Sequence, residues 1–164
     1  MTSVEVKVDD AELNAAFGLL IQHLGDLRPV MASIGEYMIR GTDDRFRDQR
    51  SPDGAAWAPL AASTLARKKN SKILTETGRL RGSVTYQATA TSVVVGTNVQ
   101  YARYHQFGTA PYIIRPRQKK ALYWPGAAHP VKQANHPGLR SRPFLGVSPQ
   151  DSQEILGIIQ DFLT

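Results

Sequence analysis

Apolar positions recur with two different periods along this chain, and the switches between them outline its elements. Val4, Val6 and Val8 alternate with Glu5 and Lys7, the period of two that marks a half-buried strand. The spacing then becomes helical. Leu13, Phe17, Leu20, Ile21 and Leu24 share one face, with Asp9 or Asp10 placed to cap the helix and Gly25 to stop it. Asp26 caps a second predicted helix with Leu27, Met31, Ile34 and Met38 on one side. Gly41 weakens that helix, but the run from Asp43 to Arg50 carries it to the Phe46 turn as a solvated, charged face.

Turn chemistry at Ser51-Pro52-Asp53-Gly54 interrupts the helical pattern. Pro59 disfavours helix at Ala58, so Trp57 is expected to anchor a loop in the core. Ser63 to Lys69 reads as a short helix whose Arg67, Lys68 and Lys69 suit a helix C-terminus. Thr77 can cap a single turn through Leu80 and Arg81. Two strands are predicted next, Val84 to Ala88 and Ser92 to Thr97, joined at Thr89-Ala90-Thr91.

Tyr101 to Phe107 forms a short helical piece with Tyr101, Tyr104 and His105 on one face. Phe107 is expected to enter the core there, and Gly108 to end the piece in a conformation costly for other residues. Ile113-Ile114 and Ala121 to Trp124 look like short strands around a basic segment, and His129 to Gly138 would complete a hairpin arm. Ser148 or Asp151 caps a last helix whose Ile155, Ile158, Ile159 and Phe162 should pack on the sheet behind the Pro143-Phe144-Leu145 anchor. The predicted fold is α+β: an antiparallel β-sheet packed against N-terminal helices and a C-terminal helix, with a long basic loop or hairpin arm over 109–142. One domain over 1–164 accommodates these elements.

Charge sharpens this outline. From Thr77 to Gln150 there is no Asp or Glu, yet Arg79, Arg81, Arg103, Arg115, Arg117, Lys119, Lys120, Lys132, Arg140 and Arg142 all fall there. The net charge of +6 is therefore a local concentration of cations set against a mildly acidic remainder. Such a field favours polyanions or acidic protein surfaces. An apolar content of 41%, with 13 Gly and 10 Pro, suggests long loops and surface that becomes buried in an assembly. Zero cysteines excludes disulfides and thiolate metal sites. With no leader and no apolar run near a membrane-spanning length, assembly in a cytoplasm is expected.

Catalytic and metal readings find little support in these residues. His105, His129 and His136 lie in a segment without a Cys, Asp or Glu to join them, so zinc is disfavoured and no cofactor is expected. Ser83 with His105 lacks a neighbouring acid for a triad. Gly78 and Gly82 flank arginines but match neither phosphate-loop fingerprint. The cations are left to account for. Arg115, Arg117, Lys119, Lys120, Lys132, Arg140 and Arg142 are read as a partner-docking set. The alternative is non-specific nucleic-acid binding through the 77–150 segment, with Tyr101, Tyr104, Tyr112, Tyr123 and Trp124 stacking on bases.

An ordered set of motifs adds a family resemblance. Pro52-Asp53-Gly54 with Trp57-Ala58-Pro59-Leu60 comes first, then Ile73-Leu74-Thr75 with Thr77-Gly78-Arg79-Leu80 and Ser83. Val95-Gly96-Thr97-Asn98 with Tyr101-Ala102 and His105-Gln106-Phe107-Gly108 follows, and Arg142-Pro143-Phe144-Leu145-Gly146 closes the set. From Pro52 to Leu163 the chain resembles the phage virion morphogenesis family, the group of tail completion protein S and the Mu-like G protein. The resemblance implies a non-enzymatic structural subunit of the tail end or head–tail junction of a phage or prophage particle. It further implies an oligomeric ring, a hexamer by preference, touching tail or connector proteins and passing DNA, with no membrane partner. The long arm from Arg115 to Ser141 departs from short family members.

Overall fold

The computed structural model describes residues 4–5, 11–24, 26–124 and 127–163. The expected capping by Asp9 or Asp10, the strand positions Val6 and Val8, and the stop at Gly25 lie outside these residues.

Helix α2 (Arg28–Asp48) is the spine. The Asp26 carboxylate accepts the Arg28 N–H at 3.0 Å, and a proline occupies the first turn. The helix ends where Gln49 turns left-handed at φ 57°. One face of α2 covers a three-stranded antiparallel sheet in the order β1 (Val4–Glu5), β3 (Val93–Thr97), β2 (Val84–Ala88). The β2–β3 hairpin turns where expected, and its register places Tyr86 opposite Val95, with the Thr89 N–H bonded to the Ser92 carbonyl at 2.8 Å. Gly35 makes the α2–sheet contact possible. A Cβ at this position would stand 2.4 Å from the Tyr86 ring.

Helix α1 (Ala11–Leu24) and helix α5 (Pro149–Leu163) complete a helical layer. Leu13, Val30, Met31, Ile34, Ile155 and Ile159 close one core between these helices. Helix α5 lies chiefly against α1 and α2, in a core that Ala88, Val93 and Val95 of the sheet border, so its stripe meets the helices more than the sheet it was expected to cover. The reason is competition for space: α2 already covers the sheet face, and α5 buries its stripe on the helices. Ile155 and Ile159 are buried, whereas Phe162 is 42% exposed at the far end.

A second core holds the irregular half of the chain together. Phe46, Trp57 and Phe144 are its centre, with Phe46 edge-on to Trp57 at 5.5 Å and tilted against Phe144 at 5.2 Å. Trp57 is buried as expected, and its indole N–H donates to the Pro143 carbonyl at 2.7 Å. The charged run of α2 is not wholly solvated. Arg45 is 8% exposed, forms an ion pair with the buried Asp151, and donates to the Gly146 carbonyl at 2.8 Å. That pair ties α2 to α5 and to the Pro143–Gly146 segment.

Two further predicted elements are shorter than expected. Helix α3 covers only Ala62–Leu65, and Lys68 beyond it pairs with Glu76. Leu122 makes a single bridge to Val131 where a strand through Trp124 was expected. No helix among the described residues is long and apolar enough to cross a membrane.

Candidate interaction surface

Helix α4 (Ala102–Phe107) leads into a two-stranded ribbon made by β4 (Tyr112–Ile114) and β5 (Ala134–His136). The strands pair antiparallel, Tyr112 opposite His136 and Ile114 opposite Ala134. The pairing continues downward as the reciprocal Thr109–Leu139 bridge, at 2.9 and 3.1 Å, and outward as the Leu122–Val131 bridge. Gly108 makes the foot of the ribbon. It has φ 74° and ψ −176°, a region reserved almost wholly for glycine, and a Cβ there would meet the Leu139 carbonyl oxygen at 2.6 Å. The Arg142 N–H donates to the His105 carbonyl at 2.7 Å and closes the corner.

Arg115, Arg117, Lys119, Lys120, Lys132 and Arg140 are exposed on or beside this ribbon. Among the described residues none of them forms an ion pair. Arg142, the seventh residue of the predicted docking set, differs from them in being buried at the foot of the ribbon. It is 8% exposed, and its guanidinium donates from Nε to the Ala58 carbonyl at 2.8 Å and from Nη2 to the Pro59 carbonyl at 3.0 Å. Its chemistry is that of a clamp on the loop after Trp57.

Aromatic residues of α4, of β4 and of the segment beyond it are exposed as well. Tyr101, Tyr104, Phe107, Tyr112, Tyr123 and Trp124 are all exposed. Phe107, at 66% exposure, contradicts the expected core anchor. Helical geometry explains the difference. Ala102 and Gln106, four residues apart, form the buried face of α4, which turns Phe107 away by one residue. Gln106 takes the anchoring role that the hydrophobic pattern assigned to Phe107. Its side-chain oxygen accepts the N–H groups of Phe144 (3.0 Å) and Leu145 (3.1 Å), and its nitrogen donates to the Leu145 carbonyl at 2.8 Å. Its i+4 relation to Ala102 was the available signal, masked by its polarity.

The remaining motif residues divide between core and rim. Leu80 and Phe144 are buried, Pro143 offers its carbonyl to Trp57, and the Thr77 hydroxyl accepts the Arg79 N–H at 3.4 Å. Gly78 has φ 76°, and the helical turn forms at Arg81–Ser83, overlapping only the end of the turn through Leu80 and Arg81 that Thr77 was expected to cap. The Ser83 hydroxyl donates to the Leu80 carbonyl at 2.7 Å and also lies 2.6 Å from the Thr97 hydroxyl, so a structural role accounts for it.

His105 stands beside Tyr101, ring centroids 6.0 Å apart, and its Nδ1 is buried without a hydrogen-bond partner among the described residues. Burial, then the neighbouring Arg142 charge, pushes its pKa below the usual histidine value. His136 stacks on Tyr112 at 4.6 Å and accepts the Gly138 N–H through Nδ1 at 3.1 Å. Among the described residues, no group of three or more His, Asp or Glu is placed to hold a metal ion.

Comparison with known proteins gives this geometry a context. The sequence profile of the phage virion morphogenesis family matches residues 8–164. The chain is similar to the Mu-like prophage FluMu G protein 2 of Haemophilus influenzae, with 29% identity over 160 residues, 97% of this chain and 95% of that protein. No solved structure matches.

Proposed function

Because the chain belongs to the phage virion morphogenesis family, we propose that it is a structural subunit forming an oligomeric ring at the tail end or head–tail junction. In that place it completes tail or virion assembly without catalysing a reaction. The observation that carries this reading is the clustering of exposed apolar and cationic side chains on α4 and the ribbon. Seven of the ten large hydrophobic residues exposed among the described residues lie between Tyr101 and Trp124. Tyr, Trp, Phe and Arg are the side chains enriched in protein interfaces, and apolar patches of this kind mark docking sites. An isolated two-stranded ribbon is marginal in water, so a neighbour that covers it also stabilises it. The chain exposes 11165 Å², against about 8,000 Å² for a compact monomer of this mass. Docking on neighbours would bury part of this excess.

Reversing the charge at Arg117, Lys119 and Lys120 to Glu tests the reading. All three are exposed and unpaired, so the unfolding midpoint should stay at the parent value while particle completion is blocked. Normal completion would remove the arm from the assembly surface. The exposure of Tyr101, Tyr104, Tyr112, Tyr123 and Trp124 also favours a second reading, stacking against nucleic acid. Direct binding through about five phosphate contacts gives a log–log salt slope near −4.5. A slope of that size for the isolated chain, with normal completion by the triple variant, would make nucleic-acid binding the better account.

A further inference from the structure

A cleft of about 770 Å³ opens at the foot of the ribbon, against the loop from Pro59 to Leu80. Leu60, Leu74, Leu80 and Leu139 give it apolar walls, and Arg79, Arg140 and Arg142 make it positive, with His105 beside them. Glu76 is the one acid among the lining residues. It is already taken up by the Lys68 ammonium and by the Lys69 N–H at 3.1 Å.

Two groups in this cleft are unfinished. Arg142 is a buried cation whose side chain bonds to two neutral carbonyls, and among the described residues no carboxylate is within ion-pair reach. A buried charge without a counter-charge is costly. Beside it the His105 Nδ1 is buried and has no hydrogen-bond partner among the described residues. Burial first, and then a neighbouring positive charge, disfavours the charged form of both groups. Arg142 is pushed down by burial and then by Arg140, and His105 by burial and then by Arg142. The opposite wall is also strained: Leu74, which is not glycine, sits at φ 55°.

We infer that the cleft receives a carboxylate-bearing segment of a neighbouring protein in the particle, an extended stretch in which Asp or Glu is flanked by apolar side chains. The inference rests on the proposed role as an assembled subunit and names the chemistry of one contact. The carboxylate supplies the missing counter-charge to Arg142, Arg140 and Arg79, in charge-assisted hydrogen bonds of about 2.7–2.9 Å. The flanking side chains cover the leucines. A nucleic-acid backbone offers the charge but nothing to cover the apolar walls, so a peptide fits this cleft better.

The test places the photo-crosslinker p-benzoylphenylalanine at Tyr101, an exposed aromatic on the rim of the cleft. In completed particles it should join a segment of another polypeptide that contains Asp or Glu between apolar residues. Crosslinking to DNA, to a segment without an acid, to its own chain alone, or to nothing would overturn the inference. In parallel, Arg79→Gln with Arg140→Gln should lower particle completion at least tenfold with an unchanged unfolding midpoint. Arg140→Glu combined with reversal of the crosslinked acid to Lys should restore it. If the double Gln variant completes normally while the Arg117, Lys119 and Lys120 reversal blocks completion, the cleft inference falls and the proposed function stands. If both complete normally, both fall.

Discussion

Replacing Asp151 with alanine should be among the most destabilising single changes in this chain, and the structure supplies its magnitude. The Asp151 carboxylate forms an ion pair with Arg45, accepts the Tyr37 hydroxyl at 3.0 Å, and accepts the Ser148 N–H at 2.6 Å. The Ser148 hydroxyl returns a bond by accepting the Asp151 N–H at 3.0 Å, a reciprocal cap on α5. Alanine leaves the Arg45 guanidinium buried, with only the carbonyls of Phe144 and Gly146 for company. Breaking a buried pair from one side costs about 3–5 kcal/mol, and loss of a cap about 1 kcal/mol more. At about 2–4 °C per kcal/mol for a chain of this size, the midpoint should fall by about 10–20 °C. Thermal unfolding followed by circular dichroism measures it, and a double-mutant cycle with Arg45→Met isolates the pair. Arg45→Met with Asp151→Leu should recover most of the loss, because matched apolar replacement removes both charges together. A fall of less than about 3 °C for Asp151→Ala, with additive effects in the cycle, would refute the assignment of this pair as the tie between α2 and α5.

Gly108→Val should disrupt the foot of the ribbon, costing about 1–3 kcal/mol from backbone conformation before the clash with Leu139 is counted, read as a lower midpoint and failed assembly. Phe107→Ala should leave the midpoint within about 0.5 kcal/mol of the parent while weakening particle completion, because the ring faces solvent in the isolated chain. Gly35→Ala should destabilise by about 1–3 kcal/mol despite the better helix propensity of alanine, and Tyr86→Ala in the same chain should relieve part of that loss in thermal unfolding. The Tyr37 hydroxyl, pushed up to about 12 by burial and then by its bond to Asp151, binds its proton more tightly when folded. Its contribution is full below pH 10 and lost as pH rises through about 12, so an alkaline unfolding series should flatten in Tyr37→Phe.

Period and punctuation alone identified most of the elements. The valines of the hairpin, the stripe of α2 and the Ile155–Ile159 pair are local signals, set by which side chains a strand or helix of that pitch can bury. The glycine at the α4 corner and the buried Trp57 were legible for the same reason, since each states a conformational or burial demand in one residue. The concentration of cations between Thr77 and Gln150, and the family motifs around it, were equally plain.

Partners distant in the chain were not legible. Arg45 reads as one more charge in a charged run until Asp151, 106 residues away, is folded against it. Arg142 reads as a free cation until the carbonyls of Ala58 and Pro59 close on it, and only then does the cleft beside it become a place that lacks a negative charge. Gln106 and Phe107 exchange their expected roles because burial of Ala102 fixes the rotation of a six-residue helix, which its own short pattern cannot do. Periodicity specifies which face of an element is apolar, whereas pairing between remote polar groups depends on the three-dimensional path that brings them together. Only the tertiary structure separates the arginines that hold this fold from those left available to a neighbour.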